Sequence, residues 1–220
     1  MDDQIGNFLE QLDKSGALEN TVIVFVSDHG ESLGEHDYWG HGRNLKEPNL
    51  RIPMGFVYEG RVAPAVESAP ALITDIAPTV VGLAGLEVPE FFQGLDWSQV
   101  FAGQTASPVD RVTYYETHKG AVGPHEGAEG LRRKGLLEVG VLQSGQKETY
   151  RVKNETREVF DLNTDGAEAN DLVAAESPMS ESLKQWLSQV RKGLELSDEL
   201  PPPSLSDDDM EALRALGYLD

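Results

Sequence analysis

The stretch "VIVFVSDHGESLGEHDYWGHG", residues 22–42, decides how the rest of the chain is read. Val22 to Val26 is a continuous apolar run, rich in β-branched residues and without polar alternation. That pattern predicts a strand covered on both faces, as in a parallel sheet flanked by helices. The run breaks into Ser27-Asp28-His29-Gly30, which puts a carboxylate and an imidazole at the carboxyl end of the strand. Open α/β sheets bind their ligands there. Both groups are ligands for a divalent cation, and neighbours at a strand-to-loop turn can converge on one ion. Gly30 lets the backbone turn sharply behind them. The competing use of the pair is local, with Asp28 capping the next turn and His29 standing in solvent.

Outward from this stretch, Ile5, Phe8, Leu9 and Leu12 recur at helical spacing and Gly16 closes the pattern, predicting an amphipathic helix over 2–16. Residues 30–49 carry four glycines and many polar groups and read as a long loop, a length that in a compact domain marks function. Met54 to Tyr58 is a second short apolar strand. Thr74 starts a helix whose inward face is Ile76, Val80 and Leu83, with Pro78 in the first turn and Gly85 as the stop. Helix, strand, loop, strand and helix up to about residue 108 predict one edge of a doubly wound α/β sheet.

The character then changes. Residues 111–116, 136–142, 148–152 and 157–161 are short β-prone runs separated by turn residues, predicting a small antiparallel sheet over 109–200. Leu183, Trp186, Leu187 and Val190 mark a helix packed on it, with Trp186 in the core. Residues 201–220 read as a stiff Pro201-Pro202-Pro203 spacer and a last helix from Ser206 through Leu216. No internal repeat is visible.

Composition bounds the function classes. Against 18 basic residues stand 38 acidic ones, a formal charge of −20, which argues against nucleic acid as a partner because the field repels phosphates. There is no cysteine, hence no disulfide or thiol chemistry within these residues. No apolar run approaches the ~20 residues that span a bilayer, and the acidic start is not a signal peptide. Localisation is left open.

Several ordered motifs together resemble the sulfatases of the alkaline phosphatase superfamily. They are Ser27-Asp28-His29-Gly30-Glu31, Gly34-Glu35-His36, Trp39-Gly40-His41-Gly42 and Glu47-Pro48-Asn49-Leu50-Arg51-Ile52-Pro53. "LDKSGALENTVIVFVSDHG", Thr74-Asp75-Ile76-Ala77-Pro78-Thr79, Ala84-Gly85-Leu86, Gln93-Gly94, Val159-Phe160-Asp161-Leu162 and the tail "LSDDDMEALRALGYL" extend the likeness over nearly the whole chain. The resemblance implies an α/β domain followed by a small antiparallel sheet with a packed helix. It implies that Asp28 and His29 are ligands of a divalent cation, calcium in most sulfatases and zinc or manganese in phosphoryl relatives. It places His41 where many sulfatases have a lysine that holds the sulfate and helps the leaving oxygen depart. A protonated imidazole could do both, more pH-dependently than a lysine. Histidine there is similar to the phosphoethanolamine-transferase branch as much as to arylsulfatases.

Other residues have two uses each. Arg43 is a candidate for substrate contact, against an ion pair with Glu47 or a neighbouring carboxylate. Arg51 holds the return of the loop or touches substrate. His36, His118 and His125 border the site or stand at the surface, surface placement being the expectation. Lys46 departs from a common aromatic residue and carries no expected chemistry.

The family's nucleophile lies in a Cys/Ser-x-Pro-x-Arg motif, or is a threonine in phosphotransferase relatives. Ser68-Ala69-Pro70 is followed by Ala71 and Leu72, without the arginine. The paired aspartates that complete the metal site near the family's N-terminus are absent too. The resemblance therefore implies the C-terminal part of a sulfatase, contributing half a metal site and a leaving-group residue, with the N-terminal half of the same protein as its partner. The implied substrate is a small-molecule or glycan sulfate ester. The alternatives are phosphoethanolamine transfer, phosphonate or phosphate ester hydrolysis on the same scaffold, and a non-catalytic remnant.

Overall fold

The computed structural model describes residues 2–118, 135–173, 177–196, 206 and 210. In chain order the elements are α1 (Asp2–Lys14), β1 (Ile23–Val26), β2 (Ser32–Leu33), β3 (Trp39–Gly40), α2 (Glu47–Leu50) and β4 (Met54–Val57). They continue with α3 (Ile76–Leu83), α4 (Ser98–Phe101), β5 (Thr113–His118), β6 (Leu136–Gln143), β7 (Gln146–Arg151), β8 (Thr156–Asp161) and α5 (Glu181–Leu196). Two compact units form: Met1–Asp28 with Ile52–Arg111, and His29–Arg51 with Val112–Asp220. Each is described by itself.

In the first unit, α1 begins on Asp2 and Asp3 and ends on Lys14, charges that suit the helix dipole. Gly16, at φ 74°, ends it, and the Ala17 amide donates to the Leu12 carbonyl at 3.0 Å. β1 and β4 pair antiparallel, from Ile23 opposite Val57 to Val26 opposite Met54. This corrects the parallel pairing expected from the apolar run, and Phe25 and Val26 are exposed. Residue types specify an apolar strand, but they carry no information on the direction of its neighbour. The Ser27 amide donates to the Pro53 carbonyl at 3.3 Å, so the ribbon's order extends almost to Asp28.

Asp75 organises the remainder of this unit from a fully buried position. Its carboxylate accepts from the Leu72 amide at 2.9 Å, the Leu95 amide at 2.8 Å and the Trp97 indole at 3.0 Å. Both arms of the Arg111 guanidinium close on the same carboxylate, one at 2.9 Å. A Cβ at Gly94 would meet the Thr74 carbonyl oxygen at 2.0 Å, so only glycine fits there.

The second unit is a four-stranded antiparallel sheet in the order β5-β6-β7-β8. The predicted runs fall within two residues of the observed starts. Ser144 and Gly145 both have positive φ and form the two-residue turn between β6 and β7, the geometry such hairpins favour. Along β6, Val139 and Val141 pack against Leu183, Leu187 and Val190 of α5, the predicted helix. Trp186 packs on this core, and its indole donates to the Tyr115 carbonyl at 2.8 Å. The Pro201-Pro202-Pro203 spacer lies outside the described residues. So does the terminal helix, except for Ser206 and Met210, which close one turn at 3.0 Å.

Candidate active site

The loop from His29 to Arg51 carries most of the predicted chemistry, and the sheet of the second unit anchors it at several points. Leu45 is buried, and its amide donates to Glu138 Oε2 at 3.1 Å. Thr117 Oγ1 donates to the Gly42 carbonyl at 2.7 Å. Lys46 Nζ lies 3.2 Å from Glu158 and 4.1 Å above the Phe160 ring. The Glu47 amide donates to Glu168 Oε2 at 2.8 Å, while Glu47 Oε1 accepts from Lys147 Nζ at 2.8 Å. Lys147 Nζ is also 2.8 Å from Glu168 Oε1, close enough for charge pairing though not aligned for a hydrogen bond. Burial pushes the Glu138 carboxyl up, against the pull of Arg151 and the Leu45 amide.

The loop also holds itself together. Gly30 donates to the Asn49 carbonyl at 2.9 Å, and a Cβ on it would meet the Pro48 carbonyl oxygen at 2.0 Å. Its need for glycine is therefore close backbone approach, not the sharp turn expected. Ser32 Oγ, buried, donates to Asn49 Oδ1 at 3.1 Å. The short ribbon of β2 and β3 pairs Ser32 with Gly40, and the Tyr38 hydroxyl donates to the His41 carbonyl at 2.8 Å.

This brings His41 onto His29. Their rings stack with centroids 3.9 Å apart and an angle of 27° between planes. His41 Nδ1 lies 2.9 Å from Glu31 Oε2, and His29 Nδ1 lies 2.8 Å from the Gly30 carbonyl oxygen. One donor atom from each of His29, Glu31 and His41 falls within 4.8 Å of the other two, and all three residues are exposed. Imidazole nitrogens and a carboxylate oxygen are ligand types for a divalent cation, but the stacked rings do not aim both imidazoles at one point.

Asp28 is exposed and is the last residue of the first unit. Arg43 is exposed, and Lys147 takes the Glu47 carboxylate considered for it. Arg51 secures the return of the loop through its backbone, its amide donating to the Glu47 carbonyl at 2.8 Å. His36 adopts a left-handed backbone and stands 3.8 Å from Glu168 Oε2. His118, expected at the surface, is instead 10% exposed at the irregular end of β5, its Nε2 3.6 Å from Glu116. Strand alternation after the bulge turns it inward. His125 lies outside the described residues.

Sequence reasoning missed Glu31, Lys147 and Glu168. Glu31 had a signal: it follows His29 by two residues, which share a face of extended chain. Lys147 and Glu168 had none, since nothing local marks a charge for burial. The spacing Asp161-x-Asn163-x-Asp165-Gly166 is that of a calcium loop. Its carboxylates are engaged by their own turn, Asp161 by the Asn163 amide and Thr164 hydroxyl, Asp165 by the Ala169 and Asn170 amides. Those amides hold the Asp165 carboxyl below the usual range. A polar hollow of about 480 Å³ lined by Ser144, Gln146, Glu148, Asp161, Asn163 and Ser180 shares no residue with the histidine cluster.

Residues 1–86 match the Sulfatase family model. An N-acetylglucosamine-6-O-sulfatase of Bacteroides thetaiotaomicron is 36% identical over 122 residues, 54% of this chain and 22% of that protein. An arylsulfatase of Clostridium perfringens is 26% identical over 198 residues, 87% of this chain and 36% of that one. A protein solved in complex with its substrate D-glucosamine-2-N,6-O-disulfate superposes with a TM-score of 0.66 at 25% identity, covering 91% of this chain and 39% of the other. The matched stretch thus spans 22–39% of the length of these three proteins. The α/β architecture with its small antiparallel sheet is the fold shared with that substrate-bound protein.

Proposed function

Taking residues 1–86 as a segment of the sulfatase family within the alkaline phosphatase superfamily, we propose that the chain serves divalent-cation-dependent hydrolysis of a sulfate ester, of a sugar or another small molecule. The observation that carries this reading is the meeting of His29 with His41 in a loop anchored at Gly42, Leu45 and Glu47.

In this reading Asp28 and His29 would hold the cation, calcium by family preference, which would supply positive charge to an anionic ester. His41, oriented through Nδ1 by Glu31, presents its other nitrogen to the bridging oxygen and hands it a proton as the S–O bond breaks. Arg43, exposed on the same loop, meets the substrate's remaining charge. The attacking oxygen comes from outside these 220 residues, because they contain no cysteine and Ser68-Ala69-Pro70 lacks its arginine. The chain alone is accordingly inactive, and the N-terminal half of a sulfatase is the partner that completes it.

The test compares sulfate release from sugar sulfates by the chain alone and by the chain joined to a nucleophile-bearing sulfatase segment. Calcium-dependent release confined to the joined protein and abolished by Asp28→Asn is the expected result. Release of phosphate from the matching phosphate esters instead, with sulfate esters inert, would overturn it.

A further inference from the structure

We propose that the hollow at the β6–β7 turn binds a neutral, hydroxyl-rich ligand, a sugar residue that carries no sulfate or carboxylate. Strand register builds this site. Val141, Glu148 and Val159 stand in one row across β6, β7 and β8, and Gln143, Gln146 and Asp161 form the next row toward the turn. Residues two apart along a strand share a face, so both rows lie on the side of the sheet where Val139 and Val141 pack under α5. The helix begins only at Glu181, with the Ser180 hydroxyl accepting from the Leu183 amide at 3.3 Å. It leaves the turn end of this face uncovered. The remaining cavity of about 480 Å³ is within the size range of small-molecule sites.

The lining selects the ligand. Its charged groups are the carboxylates of Glu148 and Asp161, with no lysine or arginine among the described residues that line it, so an anionic ligand is repelled. Both carboxylates are already answered. Glu148 accepts from the Ser180 amide at 3.2 Å and lies 3.4 Å from Arg157, while Asp161 accepts from the Asn163 amide at 3.1 Å and the Thr164 hydroxyl at 3.0 Å. A cation therefore finds little charge left to neutralise, whereas the lone pairs that remain still accept from hydroxyls. The side chains of Gln143, Gln146 and Ser182, which also line the hollow, are not tied up by hydrogen bonds among the described residues. Amides and hydroxyls both donate and accept, as each hydroxyl of a sugar does. Val141 and Val159 give an apolar floor for the C–H face of a pyranose ring, with the polar groups placed around it to fix orientation.

The test needs no activity and uses the chain as it is. Glucose, galactose and N-acetylglucosamine are titrated in turn, with N-acetylglucosamine 6-sulfate and spermidine as the anionic and cationic probes, and the amide resonances are followed by NMR. We expect saturable shifts from at least one neutral sugar, centred on Gln143, Gln146, Asn163 and Ser182, with a Kd of roughly millimolar, the affinity of a few hydrogen bonds at an open site. The sulfated sugar should bind there about tenfold more weakly, through repulsion from the two carboxylates. Gln143→Ala combined with Gln146→Ala should weaken binding roughly tenfold, the loss of two hydrogen bonds. His41→Ala should leave it within a factor of about two, as expected for a site without shared partners. Both glutamines are exposed, and an unchanged amide spectrum away from the turn establishes that the double variant is folded. The proposal is overturned by equal affinity for the sulfated sugar, by saturation with spermidine in place of the sugars, by binding that the double variant leaves unchanged or that His41→Ala removes, or by no saturable shift from any of the three sugars. Because calcium and ester cleavage take no part, this outcome is independent of whether the chain serves sulfate ester hydrolysis.

Discussion

Lys147 Nζ lies 2.8 Å from Glu47 Oε1, a hundred residues earlier in the chain, with the lysine side chain entirely removed from solvent. Glu168, equally buried, faces the same nitrogen and also takes the Glu47 amide. One cation thus holds two carboxylates, and together they fix the end of the loop that carries His29 and His41 to β7.

Removing that cation should leave the buried Glu168 and the partly buried Glu47 carboxylates close together without compensation. Breaking a buried ion pair from one side costs about 3–5 kcal/mol, and Lys147→Met is expected to lower the urea stability of the second unit by that amount. Adding Glu168→Leu to the same variant should recover part of the loss, because it removes one stranded charge. Hydrogen exchange of the β7 amides gives the local readout. A loss under about 1 kcal/mol, the worth of a surface pair, would show that the network is not held by charge.

Asp75 sets an acid limit on the first unit. Burial by itself pushes its carboxyl up, but Arg111, the Leu72 and Leu95 amides and the Trp97 indole outweigh it and hold it below the usual aspartate value. A depressed folded pKa means that the stabilisation is present above the unfolded value of about 3.9 and is lost as pH falls through the folded one. Asp75→Asn should therefore cost about 3 kcal/mol at pH 7, and the gap to the unsubstituted chain should begin to narrow below about pH 4 and close only below the lowered folded value. A gap that stayed constant from pH 7 to pH 3 would mean that shape, not charge, is what Asp75 contributes.

Glu138 behaves in the opposite sense. Burial raises its carboxyl above the usual glutamate value, with Glu158 adding to the rise and Arg151 and the Leu45 amide opposing it. Its ionised form is disfavoured in the fold, so stability is lost as pH rises from the unfolded value of 4.5 through the raised one. Glu138→Gln keeps an acceptor for the Leu45 amide and removes the charge. The variant should gain on the unsubstituted chain between pH 4 and pH 7 in paired denaturation curves. A relative loss over that window would show that the Arg151 pair, 3.7 Å away, dominates.

The contrast between these two carboxylates shows where sequence reading stops. Elements with a period, such as α5 with Leu183, Trp186, Leu187 and Val190, were legible because burial of one face imposes the spacing. The hairpin of β6 and β7 was legible to within two residues because turn residues separate its two β-prone runs. The direction of β1 against β4 was not, since Val22 to Val26 would read the same beside either neighbour. At the site, His29 and His41 could be picked out as chemistry-bearing residues. Their stacking could not, because the loop that brings them together is tied to Thr117 and Lys147, which no local pattern connects to it.

His41 offers the sharpest separation of roles, in the protein with its nucleophile-bearing segment joined. If His41 gives a proton to the departing oxygen, its removal matters in proportion to how much that oxygen needs one. A nitrophenolate leaves without help, whereas a sugar alkoxide requires a proton in the transition state. His41→Ala should therefore slow hydrolysis of a sugar sulfate roughly a hundredfold, the lower end for general acid catalysis, and that of nitrophenyl sulfate far less. Glu31→Gln should act in the same direction and more weakly, since it loosens the ring that Glu31 orients at 2.9 Å without removing it. If His41 only packs on His29, its loss disturbs the site as a whole, and both esters should slow by the same factor. The ratio of the two rate losses, measured in one variant under saturating calcium, decides between these roles. Equal losses would leave His41 as a residue that holds charge or shape and would retire it as the acid.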